Sequence, residues 1–385
     1  FMFRPVHGGN LAWAAQLARC RPDELLDFSA SISPLGPPSS VSEAIQAAFS
    51  SVVDYPDPNY GLLREAIAHH HHIPTDHILP GNGAAELLTW AARDLAERST
   101  PTFLLAPGFS DYERALDAFS VSRLGIDLLD AEGWNIEHWD KKLSDMTDTV
   151  KLSSCGLLLN NPHNPTGALF SAEKVRSLLS KFAFVVVDEA FMDFLPPERE
   201  QSVIDAVSEF PNLVVLRSLT KFYSMPGIRL GYAVAQPETL QRWQSWRDAW
   251  PVNTFAAAAG VAALQDTAFA QQTWQWLETE NAYLFEGLSA CEQLSPLPSS
   301  ANFFLVDCAV SATDLQVQLL KKHRIYIRDC MSFQQLGDRF FRVAVKARED
   351  NQRLLAALAD VLPTLETVPN TVSCGSCLRS SNFGR

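Results

Sequence analysis

Lys221 lies in an apolar, aromatic setting, the segment LVVLRSLTKFYSMPGIRLGY over 213–232, in a chain with only nine lysines. Removing a lysine from water disfavours its charged form, so its pKa falls and the neutral amine becomes available for imine chemistry. Ser218 and Thr220 precede it, and Arg229 follows eight residues later between Gly227 and Gly231. Two hydroxyls and a guanidinium together could bind a phosphate, the arginine through a bidentate charged contact. A plain buried strand with a lysine that snorkels to the surface accounts for the same segment equally well.

Four further places could complete such a site. Asp188 closes the apolar run Phe184–Val187, at the expected carboxyl end of a strand, where open α/β sheets bind ligands. There it could pair with a pyridine nitrogen and hold it protonated, so that the ring draws electrons from a carbanion; it could also simply cap a helix. NNPHNPTG over 160–167 must be an irregular loop. In it Asn164 could donate its amide to a phenolate oxygen, or the segment is an ordinary turn. PGNGAAE over 80–86 sets glycines ahead of a helix, whose first N–H groups suit phosphate. Arg328 in IYIRDC and Arg342 in FRVAV each sit at a late strand end and could clamp a carboxylate; singly, each reads as a surface strand arginine.

The elements that must position these residues follow from periodicity. Leu62–His70 reads helical, and Thr102–Ala106, Gly156–Leu159, Phe184–Val187 and Leu213–Leu216 read as strands buried on both faces. Trp274–Leu288 is helical, Asn302–Val306, Arg324–Ile327 and Phe340–Val345 are strands of a smaller α+β unit, and Asn351–Leu362 closes as a helix. The fold class is therefore α/β, with a mostly parallel sheet and a small α+β domain. The predicted division is 1–40 joining the small domain, 41–270 as the large domain, 271–365 as the small one, and 366–385 as a flexible tail.

Composition narrows the partners. The 385 residues are 47% hydrophobic and 19% charged, enough for a large buried core. The net charge of −13, with no basic stripe, argues against nucleic acid. No apolar run nears the ~20 residues of a membrane span, and Phe1–Asn10 lacks a signal pattern. Seven cysteines, an odd number and mostly widely spaced, suit a reduced, cytoplasmic interior. His69–His72 reads as a solvated helix end, and Cys374 and Cys377 lack the second pair a zinc site needs, so no metal is expected. Trp243, Trp246 and Trp250 read as packing residues.

In order and separation, Gly81-Asn82-Gly83, Asn164-Pro165-Thr166-Gly167, Asp188, Ser218-x-Thr220-Lys221 and Arg229 resemble the fold-type I pyridoxal-phosphate enzymes, the aspartate aminotransferase superfamily, over roughly 7–362. Within it the chain resembles histidinol-phosphate aminotransferases. It is more similar still to the threonine-phosphate decarboxylases of cobalamin synthesis, through His7-Gly8-Gly9-Asn10, LLDFSASISPLGPP over 25–38, PGFSDYERAL over 107–116 and RSLTKFYSMPGIRLGY over 217–232. The resemblance implies a fold-type I transferase architecture with a seven-stranded sheet. It also implies pyridoxal 5'-phosphate held by Lys221 as a Schiff base, with Asp188 on the pyridine nitrogen, Asn164 on the phenolate oxygen and Phe109 stacked on the ring. Gly83, Ala84, Ser218, Thr220 and Arg229 would hold the phosphate, and Tyr55 would reach the neighbouring subunit's cofactor in a homodimer. His7, Arg328 and Arg342 would bind a small phosphorylated amino acid. The implied reaction is decarboxylation of O-phospho-L-threonine, with histidinol-phosphate transamination as the alternative. Phe191 departs from the aminotransferase pattern, which has tyrosine three residues after the aspartate.

Overall fold

The computed structural model describes residues 4–368, apart from 100, 131–132, 135–138, 148–149 and 334. Most of the predicted tail, with Cys374 and Cys377, lies outside the described residues.

A seven-stranded sheet forms the centre. Its strands are β1 (Ile78–Asn82), β2 (Thr102–Ala106), β3 (Arg123–Asp127), β4 (Gly156–Asn160), β5 (Phe184–Asp188), β6 (Leu213–Ser218) and β7 (Leu230–Ala235), in the order β1-β7-β6-β5-β4-β2-β3. β7 runs antiparallel to both neighbours, and the pairs from β6 to β3 are parallel. Every residue of β4, β5, β6 and β7 is buried. The period of two sorts their side chains between two cores. Val185, Val187 and Val215 enter one, with Leu63 and Ile67 of helix α1 (Gly61–His71). Val186, Val214 and Leu216 enter the other, with Leu87, Leu88 and Ala91 of α2 (Gly83–Arg98) and Ala115 and Leu116 of α3 (Ser110–Asp117). A sheet flanked this way needs continuous aliphatic runs, which is why alternation is missing from the sequence. The strands not predicted are the ones diluted by Pro80, Gly81, Gly125 and Gly231.

A second, antiparallel sheet has the order β8 (Leu294–Pro296), β9 (Phe303–Cys308), β11 (Phe340–Ala344), β10 (Arg328–Asp329). Leu26–Asp27 pairs in parallel with Ile325–Tyr326, tying the N-terminal segment to this part of the molecule. The predicted strand Arg324–Ile327 is split. Arg324, with φ 56°, ends the helix Ala312–His323 by donating its N–H to Leu319 and Leu320, so only Ile325–Tyr326 and Arg328–Asp329 are extended. Among the described residues no helix is long and apolar enough to cross a membrane.

Candidate active site

The carboxyl ends of β4, β5 and β6 bring Asn160, Asp188 and Ser218 to one edge of the sheet, with Asn160 opposite Asp188 in register. Both Asp188 oxygens are engaged: Oδ1 accepts the Ala190 N–H at 3.0 Å and Oδ2 accepts the Tyr112 hydroxyl at 2.7 Å. Burial raises the Asp188 pKa, while the Tyr112 hydrogen bond and the Lys221 charge oppose it. Asn160 organises the next loop, donating Nδ2 to the Asp188 carbonyl and accepting the Asn164 N–H on Oδ1 at 2.7 Å. Asn164 Oδ1 in turn accepts Arg342 Nη1 at 2.5 Å, which leaves the Nδ2 donors for a ligand.

Lys221 follows β6 and places Nζ 3.2 Å from Thr220 Oγ1, which lies 2.7 Å from Ser218 Oγ. Desolvation lowers the Lys221 pKa to about 8; Asp188 resists this, and Arg229 and Arg342 assist it. The Phe191 ring centroid is 5.3 Å from Nζ, an apolar neighbour without a hydroxyl. Across the crevice Gly83 opens α2 with φ 73°. A Cβ there would come within 2.5 Å of Arg229 Nη2, and one on Gly231 within 2.6 Å of the Ala84 nitrogen. Side chains at these glycines would therefore close the approach between the Arg229 guanidinium, β7 and the first N–H groups of α2.

Arg328 and Arg342 are register partners on β10 and β11, only 3% and 8% exposed, not the surface residues each suggests alone. Among the described residues neither has an ion-pair partner. Desolvation, then Arg328, pulls the Arg342 pKa down to about 10. Arg328 holds the segment 4–10 over the site. It donates to the carbonyls of Pro5, at 3.2 Å, and Val6, while Arg4 pairs with Asp329 at 3.3 Å. The His7 ring in this strap lies 5.5 Å from that of Phe109, and partial burial lowers its pKa, with Asp111 opposing and Arg328, Arg114 and Arg342 assisting. Tyr55 is not joined to the cluster. It is 78% exposed and stacks on Trp250 at 4.3 Å. Tyr112 and Asn160 were not singled out from sequence. The signal for Tyr112 was its place in the first turn of α3, three residues after Phe109.

The aminotransferase class I and II family model matches residues 23–358. The chain belongs to that family. It is 39% identical over 366 residues to threonine-phosphate decarboxylase of Salmonella typhimurium, covering 94% of this chain and 98% of that one. Among solved structures it is similar to histidinol-phosphate aminotransferase from Clostridium acetobutylicum, with 29% identity, a TM-score of 0.80, and 89% of this chain and 100% of that chain covered. The histidinol-phosphate aminotransferase of Sinorhizobium meliloti, solved in complex with pyridoxal 5'-phosphate, shares the fold, with a TM-score of 0.81, 23% identity, and 94% and 96% covered. Family members use pyridoxal 5'-phosphate. The residues present fit that group: a lysine of lowered pKa beside two hydroxyls, a buried carboxylate, and a glycine-lined helix start facing a guanidinium.

Proposed function

We propose that this aminotransferase-family protein removes the carboxyl group of O-phospho-L-threonine as carbon dioxide, leaving (R)-1-aminopropan-2-yl phosphate for cobalamin biosynthesis. The observation that carries the anionic substrate is the buried pair Arg328 and Arg342, which has no acidic partner among the described residues. A buried guanidinium is costly unless an anion reaches it, and the substrate's carboxylate and phosphate supply two. The reaction follows the similarity to a threonine-phosphate decarboxylase.

Lys221 and Asp188 are the catalytic residues in this reading. Gly83, Ala84, Ser218, Thr220 and Arg229 hold the cofactor phosphate, while Asn164 and Phe109 hold its ring. His7, Arg328 and Arg342 hold the substrate. Bound pyridoxal phosphate supplies an electron sink for the pair left at Cα when carbon dioxide departs. Asp188 would hold the ring nitrogen protonated, and the hydrogen bonds from the Tyr112 hydroxyl and the Ala190 N–H oppose the rise in its pKa that burial causes. Lys221 Nζ, with a pKa of about 8, moves the proton to Cα near neutral pH. The arginines anchor the substrate, and the anchored orientation selects which bond at Cα breaks. Segment 1–40 with 271–365 forms the small domain around the large domain 41–270. The enzyme acts as a cytoplasmic homodimer in which the partner subunit's Tyr55 completes each site. The exposed Phe49, Val53, Tyr55 and Leu62 give it an apolar face.

The similarity to a histidinol-phosphate aminotransferase favours transamination as the second reading. One pair of assays separates them. Phosphothreonine alone should yield carbon dioxide and aminopropanol phosphate one to one. Glutamate from 2-oxoglutarate and histidinol phosphate at a higher kcat/KM, with no carbon dioxide from phosphothreonine, would install the second reading.

A further inference from the structure

His163 is buried in the 160–167 loop beside Asn164 and is absent from the chemistry above. Its Nδ1 lies 2.7 Å from Thr166 Oγ1, and its ring is also hydrogen-bonded to the Pro107 backbone. Burial drives its pKa to about 3, so the ring is neutral and carries one N–H. Pro107 can offer only a carbonyl oxygen, since proline has no N–H. With Nδ1 on the Thr166 hydroxyl, Nε2 is the ring nitrogen left to face the Pro107 carbonyl. This fastens the Asn164 loop to the start of segment 107–112. The other end of that segment is fastened too, because the Tyr112 hydroxyl donates to Asp188 Oδ2. Phe109 lies between the two points, its ring centroid 5.5 Å from that of Tyr112 in an edge-on contact. A shift of either anchor would be transmitted to Phe109. Loss of the Tyr112 hydroxyl would leave Asp188 held only through Oδ1.

We propose that Tyr112 and His163 are positioning residues that clamp both ends of segment 107–112, setting Phe109 and Asp188 against the cofactor. The inference rests on the assignment of Phe109, Asn164 and Asp188 to that cofactor. Neither residue touches the reacting atoms; both act through others.

The test titrates the apo-protein with pyridoxal 5'-phosphate by quenching of tryptophan fluorescence, then follows the visible absorbance of the holoenzyme against pH. The proteins are wild type, Tyr112→Phe, His163→Leu, His163→Gln, the double variant Tyr112→Phe/His163→Leu, and Asp188→Asn. Tyr112→Phe should weaken cofactor binding about tenfold, the scale of one hydrogen bond to a charged group, and should move the pH midpoint of the absorbance. His163→Leu should weaken binding severalfold. His163→Gln, which keeps a donor near the Nε2 position, should recover to within about twofold of wild type. The double variant should lose less than the product of the single losses, since both act on one segment. Tyr112→Phe and His163→Gln change little volume, so they read the clamp even if His163→Leu does not fold. Affinities within about twofold of wild type and an unmoved midpoint in Tyr112→Phe, with Asp188→Asn clearly weakened, would overturn the clamp alone. If Asp188→Asn also binds as wild type does, the cofactor assignment beneath it fails as well.

Discussion

Lys221 and Asp188 oppose each other's desolvation. Burial alone would neutralise both, and each charge resists that in the other. The consequence for the apo-protein has a definite sign. The folded pKa of about 8 lies below the ordinary value of 10.5, so between them the unfolded chain binds the extra proton. Stability attributable to Lys221 must therefore rise as pH climbs from about 8 towards 10.5. Urea unfolding of apo wild type and Lys221→Met across that range should show the rise in wild type and a flatter profile in the variant. Parallel profiles would contradict the depressed pKa. Arg342 makes the second residue-scale prediction. Arg342→Ala should weaken phosphothreonine binding by ~2–5 kcal/mol, the typical cost of removing one member of a buried charged contact. Cofactor affinity should change far less. Calorimetric titration of the reduced, catalytically silent holoenzyme would measure the first, and titration of the apo-protein with pyridoxal phosphate the second.

The element scale explains why these groups meet. Parallel strands that end together present successive C-terminal residues to one edge, and β4, β5 and β6 use that edge for Asn160, Asp188 and Ser218. The opposite wall is the first turn of α2, which needs a residue at φ 73° with nothing on Cα. Gly83→Ala therefore carries two penalties, a left-handed backbone and a methyl 2.5 Å from Arg229 Nη2. It should weaken pyridoxal phosphate binding roughly five- to thirtyfold, since ~1–2 kcal/mol of strain is a common cost of such a change. The alanine enzyme should also need more cofactor for the same thermal protection. A melting series at graded cofactor concentrations checks this, and equal protection would show that the wall tolerates a side chain.

At the scale of the whole molecule, a single chain leaves Tyr55 exposed and stacked on Trp250, apart from the lysine it is proposed to serve in the partner. Subunit mixing makes the point measurable. A heterodimer of Lys221→Ala with Tyr55→Phe concentrates both lesions in one site and leaves the other intact. It should regain about half of wild-type activity per dimer, although each parent homodimer is impaired. Absence of recovery in the purified heterodimer, or a fully active monomer by sedimentation, would refute the shared site.

The chemistry-bearing strings were legible in the sequence because their residue types are constrained locally. Lysine after two hydroxyls, aspartate after four aliphatics and an Asn-Pro-rich loop each need particular neighbours, whatever lies elsewhere in the chain. The central strands were legible for a similar reason: burial on both faces demands the unbroken runs at Phe184 and Leu213. What only tertiary structure decided are relations between distant segments. Arg328 and Arg342 each look like surface residues until β10 and β11 pair and bury them side by side. Tyr112 is an unremarked helix residue until α3 swings its hydroxyl onto Asp188, 76 positions away. The strap over the site exists only because the Arg328 guanidinium captures carbonyls more than 300 residues earlier in the chain. Periodicity reports which face of an element is buried, but the partner on that face, and hence the charge or hydrogen bond it finds, depends on how the chain closes on itself.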